Sequence, residues 1–471
     1  MKRKCISLLL VGMSLFLLGC PRPGKYARPQ PPVPSQWPET PARPEAAPDP
    51  GDAPEAADLG WEEYFGDPNL RSVIQTALEN NRDLRTAALN IEKFRALYRI
   101  QSAELRPAVA ASANLDAYRI PENLAGDGGA QTVTVYTVGL GTSSWELDFF
   151  GRIRSLESRA LEQFLASEQA RAATQVSLVA AVAYSYLALA ADRENLALAR
   201  STLRTQQEAL DLIARTRDLG IGNDLDVRQA ESQVAAARVE IARFAGQEEL
   251  DKNALDLVVG APVADDLLPS SLEAAARLGE VSAGMPSDVL LRRPDILMAE
   301  HRLKGAQASI GAARAAFFPR IALTAAGGIT SGDLGELFKP GAGTWNFMPQ
   351  VSLPIFDSGS RRAQYDAAGF DRDIAVTEYE KAIQTAFREV SDALSRRDSL
   401  LAQQRALESL VRTLEDTHRL SEARYESGID GYLGVLVAQR ALYAARQQLV
   451  SLRLARWSNL VTLYKVLGGG A

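Results

Sequence analysis

Two short stretches, Gly220-Ile221-Gly222-Asn223-Asp224-Leu225 and Gly428-Ile429-Asp430-Gly431-Tyr432-Leu433, decide the fold of this chain. They stand 208 residues apart, and the match continues without a gap through Ala236-Ala237-Arg238 against Ala444-Ala445-Arg446. Further upstream an offset of 212 pairs Asp83 with Asp295, Ala87 with Ala299, Ala96 with Ala308 and Pro107 with Pro319. A period near 210 residues far exceeds a solenoid unit, so one architectural half has been duplicated.

Each stretch interrupts a run of unusual length. No Gly or Pro occurs between Gly151 and Gly220, and those 68 residues make a helix roughly 100 Å long at about 1.5 Å per residue. A second such helix is expected from about Gly359 to Ser427. Helices of this length need coiled-coil packing. The series Leu178, Ala181, Val182, Ser185, Leu189 shows the small and apolar spacing that close helix contacts require. Each glycine-rich stretch is then a hairpin tip. Asn223 or Asp224 caps the returning helix, which runs to about Val259, where Gly260-Ala261-Pro262 stops it. The last helix is expected to end at Leu467.

Outward from the long helices, both halves show the same order. Apolar spacing predicts a helix from Asp67-Pro68 to about Leu105, stopped by Arg106-Pro107. Val109, Ala111, Ala113, Leu115 and Ala117 then alternate with Ser112, Asn114 and Asp116, which predicts a strand with one apolar face. A loop from Asn123 to Gly129 leads to a second strand from about Thr132 to Phe149, with a bulge near Gly139 and Gly141. The second half repeats this as a helix Pro294–Phe318 and strands Ile321–Thr330 and Trp345–Phe356. Between the halves, residues 262–293 read as a connector with one short helix near Leu272 to Leu278.

Lys2, Arg3 and Lys4, the apolar run Ile6 to Leu18 and the ending Leu17-Leu18-Gly19-Cys20 read as an export signal, too short for a confident span. The ending resembles the bacterial lipobox, in which the Cys becomes acylated, and Pro21 in place of Asp points to the outer membrane. Residues 1–19 carry three cations, so their removal takes the net charge from -6 to -9. Cys5 and Cys20 are the two cysteines of the chain. The mature protein therefore has no thiol for a disulfide, a metal or catalysis. Residues 21–58 hold 12 of the 23 prolines and are expected to form an extended, semi-stiff tether. The domain reading is signal 1–19, tether 20–60, first repeat 61–262, connector 263–286 and second repeat 287–471.

Four strands cannot stand alone in lipid, where each unpaired edge amide costs several kcal/mol. Closure needs further copies. Two copies give an eight-stranded barrel whose interior is filled by side chains, so a pore needs at least three. The expected fold class is mixed but mainly α. Each of two repeats gives a β-hairpin and a coiled-coil hairpin, and a trimer forms a 12-stranded membrane barrel with a 12-helix tunnel.

Charge excludes little and suggests less: 52 basic against 58 acidic residues give no basic patch for nucleic acid. His301 and His418 stand alone on helices. Gly341-Ala342-Gly343 lacks the strand–helix setting and Lys of a phosphate cradle. No cofactor, metal site or catalytic group is expected.

Several segments together resemble the TolC family of outer membrane factors, and within it the lipidated, NodT-type channels. They are Leu290-Leu291-Arg292-Arg293-Pro294-Asp295-Ile296, Ala312-Ala313-Arg314-Ala315-Ala316-Phe317-Phe318-Pro319, Pro354-Ile355-Phe356-Asp357-Ser358-Gly359 and Tyr425-Glu426-Ser427-Gly428-Ile429. Trp145-Glu146-Leu147-Asp148-Phe149-Phe150-Gly151 and Leu463 to Gly470 fit as well. The resemblance implies a homotrimeric exit duct in the outer membrane, held by lipid at Cys20. It would work with a periplasmic adaptor and an inner-membrane pump, of the resistance-nodulation-division (RND) type, to export drugs and small toxic compounds. It implies a periplasmic gate of Tyr425, Asp430, Leu433 and Arg440, with Leu433 as an apolar ring and the other three tying helices shut. It places adaptor contacts at Leu219, Gly220, Ile221, Gly428 and Ile429. Related channels carry Asp where this chain has Val437, which puts an acidic ring in doubt. A type I protein-secretion duct and a non-channel coiled-coil lipoprotein remain as alternatives.

Overall fold

The computed structural model describes residues 26–38, 58–124, 129–279, 281 and 290–469; the signal, Cys20, most of the first inter-strand loop and part of the connector lie outside them. The chain divides into two compact units, one of Met1–Gln30, Asn90–Glu168 and Met298–Tyr379, the other of Pro31–Leu89, Gln169–Leu297 and Glu380–Ala471.

The first unit contains the whole sheet. Strands β1 (Ala110–Ile120), β2 (Gln131–Glu146), β3 (Arg320–Ser331) and β4 (Gly343–Ser352) follow in that order, each antiparallel to the next. The register aligns Ala113, Val138 and Ile329, then Ala111, Leu140, Gly327 and Trp345, and further along Ala325 with Phe347 and Ile321 with Val351. Residues directly opposite share a face, so one side takes the larger apolar share of every strand, while Tyr118, Val133, Val135 and Met348 fall on the other. The mainly apolar side is bare: Leu115, Leu140, Trp345, Phe347 and Val351 are all exposed, Trp345 by 80%. The other side carries Ser112, Asn114, Asp116, Thr137 and Asn346. Among the described residues β1 and β4 leave their outer edges unpaired, an arrangement that invites pairing with another strand.

The bulge lies elsewhere than the glycines suggest. Pairing runs unbroken through Gly139 and Gly141, and the register slips between Thr142 and Trp145, where Ser144 takes φ 55° and its N–H donates to Thr324 Oγ1 at 3.0 Å. The glycines serve close approach instead. A Cβ on Gly141 would lie 2.4 Å from Ala326 Cβ, and one on Gly328 would lie 2.2 Å from the Val138 carbonyl oxygen. β4 stops at Ser352, short of the expected Phe356, because Pro354 has no N–H for the ladder.

Both exits from the sheet are built alike, as duplication requires. Gly151 (φ 80°) and Gly359 (φ 87°) turn the chain. Asp148 accepts the backbone N–H of Arg154 at 2.9 Å, and Asp357 that of Arg361 at 3.0 Å. These carboxylates cap the two longest helices, α4 (Arg152–Asp218) and α8 (Ser360–Glu426). The buried Glu146 at the end of β2 accepts two bonds from Arg152, at 2.9 and 2.8 Å, and pairs with Arg320 at 2.6 Å.

The second unit holds the main core. After the one-turn helix α1 (Trp61–Tyr64), helix α2 (Pro68–Asn80), N-capped by Asp67, buries Leu70, Val73, Ile74 and Ala77. These pack with Val182, Tyr186 and Leu189 of α4, with Leu255 and Val259 of α5 (Asp224–Val259), and with Leu463, Tyr464 and Val466 of α9 (Tyr432–Val466). Each fully buried Val, Leu or Ile among them contributes about 1.5–3 kcal/mol. Tyr64 stacks on Tyr464 with ring centroids 4.0 Å apart. α4 also carries an 18-residue window of mean hydropathy 1.5, half of it buried in the protein.

The single helix expected from Pro68 to Leu105 is two, α2 and α3 (Arg82–Ala103), broken at Asn81. Asn81 takes extended dihedrals, its Oδ1 accepts the Leu84 N–H at 2.9 Å, and its Nδ2 donates to the Val258 carbonyl at 2.8 Å. Gly260 ends α5 at φ 83°, and a Cβ there would meet the Asn80 carbonyl oxygen at 2.6 Å. The connector helix α6 is one turn, Leu272–Ala275, and α7 spans Pro294–Ala315.

Candidate functional site

The hairpin tips belong to the second unit and end their incoming helices in the same way. Gly220 (φ 77°) and Gly428 (φ 69°) adopt left-handed backbone. The Ile221 N–H donates to the Thr216 carbonyl at 3.2 Å and the Gly220 N–H to that of Arg217 at 2.8 Å; Ile429 and Gly428 donate to Arg424 and Tyr425, both at 2.9 Å. These are paired Schellman closures, which only glycine enters without strain.

The returning helices start differently. Asn223 caps α5 by accepting the Asp226 N–H at 2.9 Å, whereas α9 begins at Gly431 with no side-chain cap. Asn at an N-cap is favoured over Gly by only about a few tenths of a kcal/mol, so the second tip is held slightly less firmly at this point. Ion pairs brace both. Arg217 reaches Asp218 at 2.8 Å and Asp224 at 3.3 Å, and Arg424 forks onto Asp430 at 2.5 and 3.2 Å.

Behind the tips, α5 and α9 share a seam. Ile213, Val227, Ala230, Tyr432, Val435 and Leu436 form a buried cluster with Leu210 and Tyr425 against it. Two polar rungs join the helices: Arg440 Nε donates to Gln233 Oε1 at 3.0 Å, and Gln447 Nε2 to Glu240 Oε2 at 3.2 Å. The rungs lie seven residues apart on both helices, the heptad spacing of a coiled coil. Tyr425 and Tyr432 rings meet at 5.3 Å. Burial pushes the Tyr432 hydroxyl up to about 12, with Tyr425, Asp226 and Glu422 adding to it.

The residues expected to form the gate are therefore dispersed among different partners. Asp430 pairs with Arg424 inside its own hairpin, Arg440 with Gln233 across the seam, and Tyr425 packs on Tyr432. Leu433 and Val437 lie one turn apart on α9 and are each 62% exposed. Leu219, Ile221, Leu225 and Ile429 are exposed as well, so the tips present an apolar surface. Sequence reasoning missed Arg424, Gln233 and Tyr432. Gln233 was legible, because it stands one residue out of repeat register with Arg440. His301 Nδ1 is hydrogen-bonded to Glu162 Oε2 at 2.6 Å, tying α7 to α4.

One chain thus carries a sheet with a mainly apolar, exposed face and two open edges together with paired helical hairpins. A family profile for outer membrane efflux proteins matches residues 73–261 and 285–469, one match for each half. The chain is 47% identical over 466 residues to the toluene efflux pump outer membrane protein TtgC of Pseudomonas putida, covering 98% of this chain and 96% of that one. Among solved structures it is similar to a membrane protein from Pseudomonas aeruginosa (39% identity, TM-score 0.89, 96% of this chain and 98% of that one). It is also similar to the open state of the MtrE outer membrane channel of Neisseria gonorrhoeae (38% identity, TM-score 0.85, 96% and 98%). The chain belongs to the outer membrane efflux protein family. It is an outer-membrane efflux channel and not an enzyme.

Proposed function

We propose that three copies of this chain form the exit duct of a tripartite pump that expels small apolar toxic compounds. The observation that carries the reading is the sheet register: one largely exposed face takes the larger apolar share of all four strands, and both edge strands await partners. Three sheets supply twelve strands, the smallest closure of this unit that leaves an open lumen. In this reading the lipid on Cys20 adds an anchor, and the exposed tip residues Leu219, Ile221 and Ile429, with Gly220 and Gly428, receive the helical hairpins of an adaptor. The adaptor links the duct to an RND pump. The gate is the α5–α9 seam, with Leu433 facing the axis.

The likeness to a toluene efflux protein supports aromatic solvents as cargo. A strain lacking this chain should lose growth in toluene-saturated medium and regain it on expression of the wild type. Undiminished tolerance, together with retention of a large secreted protein, would instead favour type I secretion.

A further inference from the structure

Glu300 of α7 is only 3% exposed, yet it is held as a carboxylate by one cation of its own helix and one from outside the repeats. Arg28 Nη2 donates to its Oε2 at 2.6 Å, and Lys304 Nζ lies 3.1 Å from its Oε1. The Lys304 ammonium in turn sits 5.2 Å from the centroid of the Tyr26 ring. The Tyr26 hydroxyl is buried there, with fully buried Tyr379 of α8 close by. Burial pushes the Glu300 carboxyl up, but Arg28 and Lys304 outweigh it and leave it below the usual range. A buried carboxylate is strongly unfavourable unless paired, and one i,i+4 lysine satisfies only one of its oxygens, so α7 carries a group whose second partner arrives with the proline-rich segment. All of these residues belong to the first unit.

The consequence is one of reach. A free tether of residues 20–58 would extend about 130 Å at about 3.4 Å per residue. With Arg28 docked, Cys20 is eight residues away and reaches about 27 Å. We propose that the Glu300 site on α7 is a receptor for the chain's own N-terminal segment, holding the lipid anchor beside α7 instead of letting it trail. The segment is thereby a latch and not a spacer. The anchoring half of this proposal rests on acylation of Cys20.

The test is limited trypsin digestion of the full-length protein in detergent, following cleavage at Lys25-Tyr26 by mass. The wild type should resist. Arg28→Ala and Glu300→Gln should each be cut about tenfold or more faster, as loss of one charged hydrogen bond implies, with Arg28→Lys between. The double variant should be cut no faster than either single one, because both remove the same contact. Glu300→Gln keeps the shape of the side chain and so reports docking even if Arg28→Ala folds poorly. Cleavage of both single variants at the wild-type rate, or independent additive effects, would overturn the docking. The released peptide should carry the acyl mass on Cys20; its absence would overturn the anchoring half even with docking intact.

Discussion

Arg440→Ala removes the rung that joins the two tip hairpins nearest their ends. The Arg440–Gln233 bond is 3.0 Å long and half-buried, and a hydrogen bond from a charged donor contributes about 1.5 kcal/mol at the low end of its range. On the proposed gating, opening the tips separates α9 from α5 and breaks this bond once per copy. In a concerted trimer the closed state would lose about 4.5 kcal/mol, a shift of about a thousandfold in the closed-to-open ratio. Single-channel recording in planar bilayers should show a higher open probability and larger conductance. Gln233→Ala should reproduce the effect, and the double variant should add little, since both remove one contact. Leu433→Ala should widen the aperture by a separate route, adding to Arg440→Ala. If Arg440→Ala and Gln233→Ala leave conductance at the wild-type level, the seam is packing and not a gate.

Further consequences follow from the sheet and the core. Gly328→Ala places a methyl 2.2 Å from the Val138 carbonyl oxygen, whereas Gly327→Ala meets nothing within 4 Å. The first should cost about 1–3 kcal/mol and reduce the yield of heat-modifiable oligomer on gels; the second should not, and equal yields would contradict the register. Burial, with Asp251 as hydrogen-bond partner and repelling neighbour, raises Asp192 to about 6, above the unfolded value of about 3.9. The native state then binds the proton more tightly, so this stabilisation is full below about pH 4 and is lost as pH rises through 6. Asp192→Asn should therefore raise the unfolding midpoint more at pH 7.5 than at pH 5, and an equal gain at both would refute the shift.

Much of this molecule was legible because its strongest signals are local. The Gly- and Pro-free run after Gly151 became α4, which ends at Asp218, one residue before the expected turn. Asn223 became the cap of α5. The alternation in β1 to β4 survived into register because one slip would have turned every apolar residue to the other face. The errors lie where tertiary contacts decide. Nothing in Pro68–Leu105 announces the break at Asn81, whose side chain answers to Val258, distant in sequence. Gly139 and Gly141 looked like a bulge, but they are small because β3 comes close. The proline-rich segment was read as a tether from composition, which cannot reveal that Arg28 has a buried carboxylate waiting on α7 or that Trp37 stacks on Phe387 at 5.0 Å. At the tips, residue types pointed to Asp430 and Arg440 but not to Arg424 and Gln233 as their partners.

The central claim is that a four-stranded sheet with two open edges becomes a channel by closure among copies. Native mass spectrometry of the purified full-length protein, released from detergent micelles, tests it most directly. The account predicts a dominant species of three chains, in which each β1 edge finds the β4 edge of a neighbour. A dominant species of one chain, stable and soluble without detergent, would contradict it.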